Sequence, residues 1–118
     1  MELSKTIFCD IDGTLVKHAS PYETALPSYK MELLPGTIEK LLDWNKQGYT
    51  IILTTGRRES HREVTIKQLQ EVGIFYDQLV MGINRGFRIL INDNKPDGQK
   101  AAFAVNVPRN QGLSEIEI

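Results

Sequence analysis

The stretch Thr6-Ile7-Phe8-Cys9-Asp10-Ile11-Asp12-Gly13-Thr14-Leu15 decides how the rest of the chain is read. A β-branched and aromatic run drives directly into two carboxylates spaced two apart. Strand side chains alternate with period two, so Asp10 and Asp12 leave on one side where strand geometry holds through both. Like charges that close raise each other's pKa unless a cation or a proton lies between them. Gly13 lets the backbone turn sharply as the chain leaves the strand. Taken alone, Asp12-Gly13 also reads as a plain turn closing a strand.

At 118 residues the chain reads as a single domain, 1–118, long enough to bury a core and too short for a second module. Its 14 basic residues nearly cancel 15 acidic ones, so no overall charge draws it to nucleic acid or to an anionic membrane. One cysteine cannot form an internal disulfide, and no run of the sequence resembles a signal peptide or a spanning helix. A cytoplasmic protein without membrane contact is the expectation. Cys9 itself reads as a small core filler rather than a reactive thiol.

Beyond the first strand, residues 16–35 form a polar segment punctuated by Pro21, Pro27 and Pro35, without a helical period. An irregular hairpin flap is expected there, with His18, Tyr22 and Tyr29 as solvated loop residues able to reach a substrate. Pro35-Gly36-Thr37 then opens a helix with Ile38, Leu41 and Leu42 on its core face and Trp44 as further packing. A second strand, Tyr49-Thr50-Ile51-Ile52-Leu53, runs into Thr54-Thr55-Gly56-Arg57. A hydroxyl at the carboxyl end of a parallel strand lies where open α/β sheets bind ligands, and it donates to a phosphate oxygen without adding charge. Ser60-His61-Arg62-Glu63 reads as a capping box for a helix carrying Val64, Ile66, Leu69 and Val72, with Arg57, Arg58 and Arg62 gathered at its anion-favouring end. Three further strands are expected, at Gln78-Leu79-Val80-Met81, at Arg88-Ile89-Leu90-Ile91 and over residues 101–107, with a helical turn at 97–100 and an edge strand through Ile116 and Ile118. The alternation of strands and helices implies an α/β, Rossmann-like fold with a mainly parallel sheet and the Asp-bearing strand at its centre.

Asp10-Ile11-Asp12-Gly13-Thr14-Leu15 after such a strand resembles the first motif of the haloacid dehalogenase (HAD) superfamily, most of whose members are Mg²⁺-dependent phosphatases. Thr55 before Gly56-Arg57 resembles the second motif, and Asp93-x-x-x-Asp97 after an apolar strand resembles the fourth. The resemblance implies a three-layer HAD-like sandwich without a cap domain, a segment of some twenty residues being too short for one. It implies Asp10 as nucleophile, Asp12 as general acid and base, and Thr55 as the residue that orients the phosphoryl group, with Thr54 the neighbour that a shift of one residue selects. The Asp10 carboxylate, the Asp12 carbonyl and Asp93 would hold Mg²⁺, whose oxygen ligands and retained waters suit a strand end. Asp97 would make a water-bridged contact there and, with Gly56 and Arg57, belongs to the candidate substrate-binding residues.

The chain departs from the family where a Lys usually follows a crossover helix. Only residues 82–88 join the third and fourth strands, and seven residues fully extended cover roughly 23 Å, whereas a parallel crossover normally takes a dozen or more. An extended strap across the sheet, or a local antiparallel hairpin, is therefore expected. Lys95 is the first substitute for the missing cation, with Lys100 and Arg88 behind it. The implied activity is a phosphatase acting on a phosphate monoester through an aspartyl-phosphate. The partner is a phosphorylated small molecule or a polymer-borne phosphate, nucleic acid entering as substrate alone. A phosphotransferase or mutase of the same chemistry, and a weakly catalytic module that binds a phosphorylated ligand, are the alternatives. Sheet surface bared by the missing helix would mark a contact in a homo-oligomer.

Overall fold

The computed structural model describes residues 3–118. Three parallel strands, β1 (Thr6–Asp10), β2 (Thr50–Thr54) and β3 (Gln78–Val80), lie in the order β1-β2-β3. Between them run a one-turn helix α1 (Pro21–Thr24), α2 (Thr37–Lys46), a 3₁₀ turn at Glu59–His61 and α3 (Arg62–Glu71). Register is set by burial: Cys9, Leu53 and Leu79 pair across the sheet on its buried face, and Ile7 pairs with Ile51. On the opposite face Phe8 pairs with Ile52 and stays 59% exposed.

The core joins this face to Ile11, Leu15 and Val16 from the loop after β1, Leu41 and Trp44 from α2, Leu69 from α3, and Leu113 from the distant carboxyl-terminal loop. Helix α2 buries Thr37, Leu41 and Trp44, while Leu42, expected on the core face, is 54% exposed. Trp44 thus takes the inward position one turn on from Leu41, as helical spacing allows. The Thr37 hydroxyl donates to the Leu15 carbonyl at 2.6 Å and ties α2 to the loop after β1. Gly36 caps this helix with φ of 84°, and a Cβ there would meet the Ser114 backbone nitrogen at 2.6 Å. The capping box expected at Ser60 does not form. Ser60 lies inside the 3₁₀ turn, and His61 takes the N-cap of α3 with no side-chain hydrogen bond.

Two larger differences concern the second half. The Asp-bearing strand β1 is at the edge of the sheet, not its centre. The strands expected at 88–91 and 101–107, and the edge strand at the tail, are absent, because β3 is the last regular element among the described residues. Residues 84–101 are exposed without interruption. A strand is stabilised by a ladder partner and a covered face, and this run has neither in its own chain. It forms an arm turned at 95–99, where the Lys95 N–H donates to the Gln99 carbonyl at 2.8 Å in place of the expected helical turn. The arm lengthens the molecule to 50 Å against 28 and 24 Å across, with a radius of gyration of 14.9 Å. A compact chain of this length has about 13.5 Å.

Candidate active site

The pairing of Asp10 with Thr54 in the β1–β2 register brings the acidic loop and the Thr54-Thr55 pair to one end of the sheet. Asp10 keeps a face open to solvent, and its Oδ2 accepts from the Thr14 hydroxyl at 3.4 Å. Its pKa is raised above the ordinary carboxylate value, first by the protein crowding the carboxyl group and then by the charge of Asp12. A hydrogen bond from the Ile11 backbone, the Arg88 guanidinium and Thr14 act in the opposite direction. Cys9, next in the chain, is buried, and that burial, with Asp10 beside it, pushes its thiol up to about 12. It fills the core and is no nucleophile near neutral pH.

Asp12 is held by Arg57. The Arg57 Nε donates to Oδ2 at 2.9 Å and its NH2 to Oδ1 at 2.8 Å, a bidentate pair whose side chains are 5% and 18% exposed on the Arg and Asp sides. NH1 donates to the Gln68 Oε1 at 2.6 Å and to the Thr65 hydroxyl at 3.3 Å. Gln68 in turn donates through Nε2 to the Thr24 carbonyl at 2.8 Å. A buried polar chain therefore runs from Asp12 through Arg57 and Gln68 to the flap. Charge-assisted bidentate bonds are strong and directional, so Arg57, read from sequence as a substrate contact, is turned onto Asp12. This relay was not legible in the sequence, since its members are separated by 45, 11 and 44 residues.

Thr54 is half-buried and Thr55 fully so. The Thr55 Oγ1 accepts from the Arg57 N–H at 3.1 Å, which leaves its hydroxyl hydrogen to be donated elsewhere. Gly56 lies against the chain after β3, where a Cβ would come 3.1 Å from the Ile83 carbonyl. The flap has the expected hairpin character: Lys17 donates to the Glu32 carbonyl at 2.8 Å and Leu34 to that of Leu15 at 3.0 Å. Of its aromatic residues, Tyr29 feels the site. Its pKa is raised by burial first and by the charge of Asp12 next, whereas Tyr22 is exposed. Two residues not singled out in the sequence also border the acidic loop. The Asn110 N–H donates to the Gly13 carbonyl at 2.9 Å and its Oδ1 accepts from the His18 N–H at 2.7 Å. Arg109 packs against Gly13, where a Cβ would meet its Cγ at 3.3 Å. Asn110 adopts φ of 62°, a conformation Asn tolerates, and that was the one local signal available.

The remaining sequence candidates stand apart. Asp93, Lys95, Asp97 and Lys100 all lie on the exposed arm, where Asp97 Oδ1 accepts from the Gln99 N–H at 3.0 Å within the turn. Among the described residues no three acids, histidines or cysteines gather as a metal-binding group. Arg88, at the root of the arm, is the cation whose charge reaches Asp10, with its NH1 donating to the Asn84 and Gly86 carbonyls at 2.7 and 2.6 Å. The donors that one chain does bring together, the Asp10 carboxylate and an Asp12 carbonyl that takes no hydrogen bond among the described residues, are hard oxygens. They suit Mg²⁺, which takes one or two carboxylates and keeps water or phosphate in its other positions. A groove of about 200 Å³ between flap and α3, lined by residues including Pro27, Lys67 and Gln68, does not include Asp10. Asp10 is exposed and Asp12 partly so, and among the described residues no cap covers them.

Residues 4–99 match the family described as the polynucleotide kinase PNKP phosphatase domain. No curated protein matches the chain. Two solved structures, of a Pnkp1/Rnl/Hen1 complex and of the Pnkp1/Rnl/Hen1 RNA repair complex, are each 32% identical over 74% and 73% of this chain, with a TM-score of 0.58 in both. The match spans about a third of the matched chain in those structures, 31% and 28%. A crystal structure of a Vibrio cholerae protein, 19% identical with a TM-score of 0.56, shares the fold over 84% of this chain and 89% of its own.

Proposed function

The chain belongs to the PNKP phosphatase-domain family of the HAD-like superfamily, and on that footing we propose that it hydrolyses phosphate monoesters through an aspartyl-phosphate on Asp10. The observation that carries this reading is the placement of an open Asp10 carboxylate beside Asp12, with Thr55 at the neighbouring strand end. An Asp10 oxygen attacks phosphorus and the ester P–O bond breaks, its oxygen leaving with a proton from Asp12. Asp12 then takes a proton from water, whose oxygen attacks the phosphoryl group, releasing inorganic phosphate and restoring Asp10. Splitting one displacement into two is the advantage of a carboxylate nucleophile. The Thr55 hydroxyl and the backbone at Gly56 orient the phosphoryl oxygens, and Arg88 supplies the cation in place of a third-motif Lys. The Asp10 carboxylate and the Asp12 carbonyl would hold Mg²⁺, which would supply charge neutralisation there.

Each Asp12 oxygen accepts one bond from Arg57 and keeps a further lone pair for proton exchange, so Arg57 acts as a positioning residue with the bidentate pair intact. The open site accommodates a phosphate on a polymer end. Because one of the two 32% identical structures is described as an RNA repair complex, the first substrate class to test is the terminal phosphate of an oligonucleotide.

The test is phosphate release from 3′- and 5′-phosphorylated oligonucleotides and from sugar phosphates, with and without Mg²⁺, for wild type and Asp10→Asn. Metal-dependent release lost in the variant is expected. Equal release from both proteins would overturn the assignment.

A further inference from the structure

The arm presents a set of side chains that no isolated soluble chain benefits from exposing. Phe87 is 99%, Ile91 90% and Phe103 81% exposed, with Ile89, Leu90 and Val105 also open. Contiguous apolar surface of this kind marks a contact. The matching vacancy is the outer edge of β1, whose backbone ladder is unpaired on one side and whose Phe8 is uncovered. Natural sheets protect such edges with charge, proline or a covering element, and between its ends β1 has none of these. The run Arg88-Ile89-Leu90-Ile91 has the β-branched composition of a strand without a partner, and β1 is a strand lacking a neighbour.

The arm's own chain joins the two and also completes the site only with residues 82–88 pulled nearly taut. Both roots are pinned at the carboxyl end of the sheet: Gly82 donates to the Arg57 carbonyl and Ile83 to that of Thr55 on one side, and Asn110 donates to Gly13 on the other. Arg88, whose NH1 donates to the Asn84 and Gly86 carbonyls just past the first of these roots, is still near that end. From there an antiparallel run along its own β1 carries Asp93 toward the amino end, away from Asp10. A parallel run would first have to cross the sheet diagonally, one strand length by three strand spacings, about 22 Å in a straight line and nearly the full reach of seven residues. A second copy removes that limit. The family match nonetheless continues through residue 99, so the arm's outward half lies within the matched extent of the phosphatase domain although it stands off this body.

We propose that the 84–107 arm is exchanged between two copies of this chain, its 88–91 run pairing along the free edge of the partner copy's β1 and bringing Asp93 to the partner's Asp10. The exchange is isologous, each copy giving an arm and receiving one, and so closes as a dimer. Assigning Asp93 to the shared site rests on the phosphatase reading above; the dimer does not.

Two measurements separate these. Light scattering should give twice the chain mass of 13.4 kDa, and Ile89→Lys/Ile91→Lys should give the single mass with circular dichroism of the body retained. A monomeric wild type, or a dimer that survives both lysines, overturns the exchange whatever the activity. Then Asp10→Asn and Asp93→Asn, each impaired alone, are unfolded together in urea and co-refolded. Random pairing gives one intact site in half of the dimers, so turnover should return to about a quarter of wild type. Turnover no higher than the mean of the two variants refolded separately would show that each arm serves its own chain and would overturn the shared site.

Discussion

Two apolar triplets in this chain, Ile51-Ile52-Leu53 and Ile89-Leu90-Ile91, are built from the same two residue types. The first is the middle of β2, paired on both sides and buried at Ile51 and Leu53. The second lies on the arm with each residue more than 60% exposed. Intrinsic preference does not separate them, since both are good strand sequences. What separates them is supply: β2 has β1 and β3 to pair with and α2 packed over it, while the arm leaves its body before any partner is offered. The residues singled out by the resemblance are divided in the same way, Asp10, Asp12 and Thr55 lying on the body and Asp93 and Lys95 on the arm.

The sharpest way to test that division is to remove one acid from each region. Asp10→Asn should lower turnover by on the order of 10⁴-fold or more, because the nucleophile itself is lost. Asp93→Asn should cost roughly 100-fold or more, above the 10- to 100-fold range of outer-shell partners because a direct carboxylate ligand would be lost, yet less than Asp10→Asn because the proposed nucleophile stays. Initial-rate assays with phosphorylated oligonucleotides read both, and an Asp93 effect as large as that of Asp10 would break the division. Next in size is the relay that ties the body's second acid to the flap. Arg57→Ala should lower turnover roughly 100-fold through misplacement of Asp12 and destabilise the fold by about 3 kcal/mol or more, since a buried charge loses its partner. Steady-state kinetics and urea titration measure the two effects.

The triplets themselves give the next comparison. Leu53→Ala should cost about 2–5 kcal/mol, as expected for a fully buried leucine. Leu90→Ala, measured by urea titration at a dilution where chains are single, should stay within about 0.5 kcal/mol.

The smallest effect concerns Asp10 alone. Its folded pKa is raised above the unfolded value, so its contribution to stability is fully present below the unfolded pKa and is lost as pH rises through the folded one. Asp10→Asn should therefore be slightly more stable than wild type at neutral pH in chelator, with the advantage vanishing toward acid. The two proteins should converge in stability as pH falls through the carboxylate range. Thermal melts across that range supply the first check.

Much of the body was legible because its signals are local. Asp10-Ile11-Asp12-Gly13, the Thr55-Gly56-Arg57 ending, and α2 opening after Gly36 each depend on neighbours a few residues away. The failures have physical causes of one kind. Ser60 carried a capping-box pattern, but a 3₁₀ turn claimed it first. Arg57 read as an anion contact because Gln68 and Thr65, which fix it on Asp12, lie a helix away. The 88–91 run read as a strand because composition reports what a segment can become, whereas a strand exists only beside a partner. For the same reason β1 was expected at the sheet's centre and is found at its edge.

Whether Asp10 is the site of phosphoryl transfer is tested directly by trapping. Wild type mixed with a phosphorylated oligonucleotide and Mg²⁺, quenched in acid within the first turnover and digested, should yield a hydroxylamine-labile phosphoryl group on Asp10, absent when the chain carries Asp10→Asn. Phosphate release with the label on another residue, or undiminished in that variant, would contradict the account.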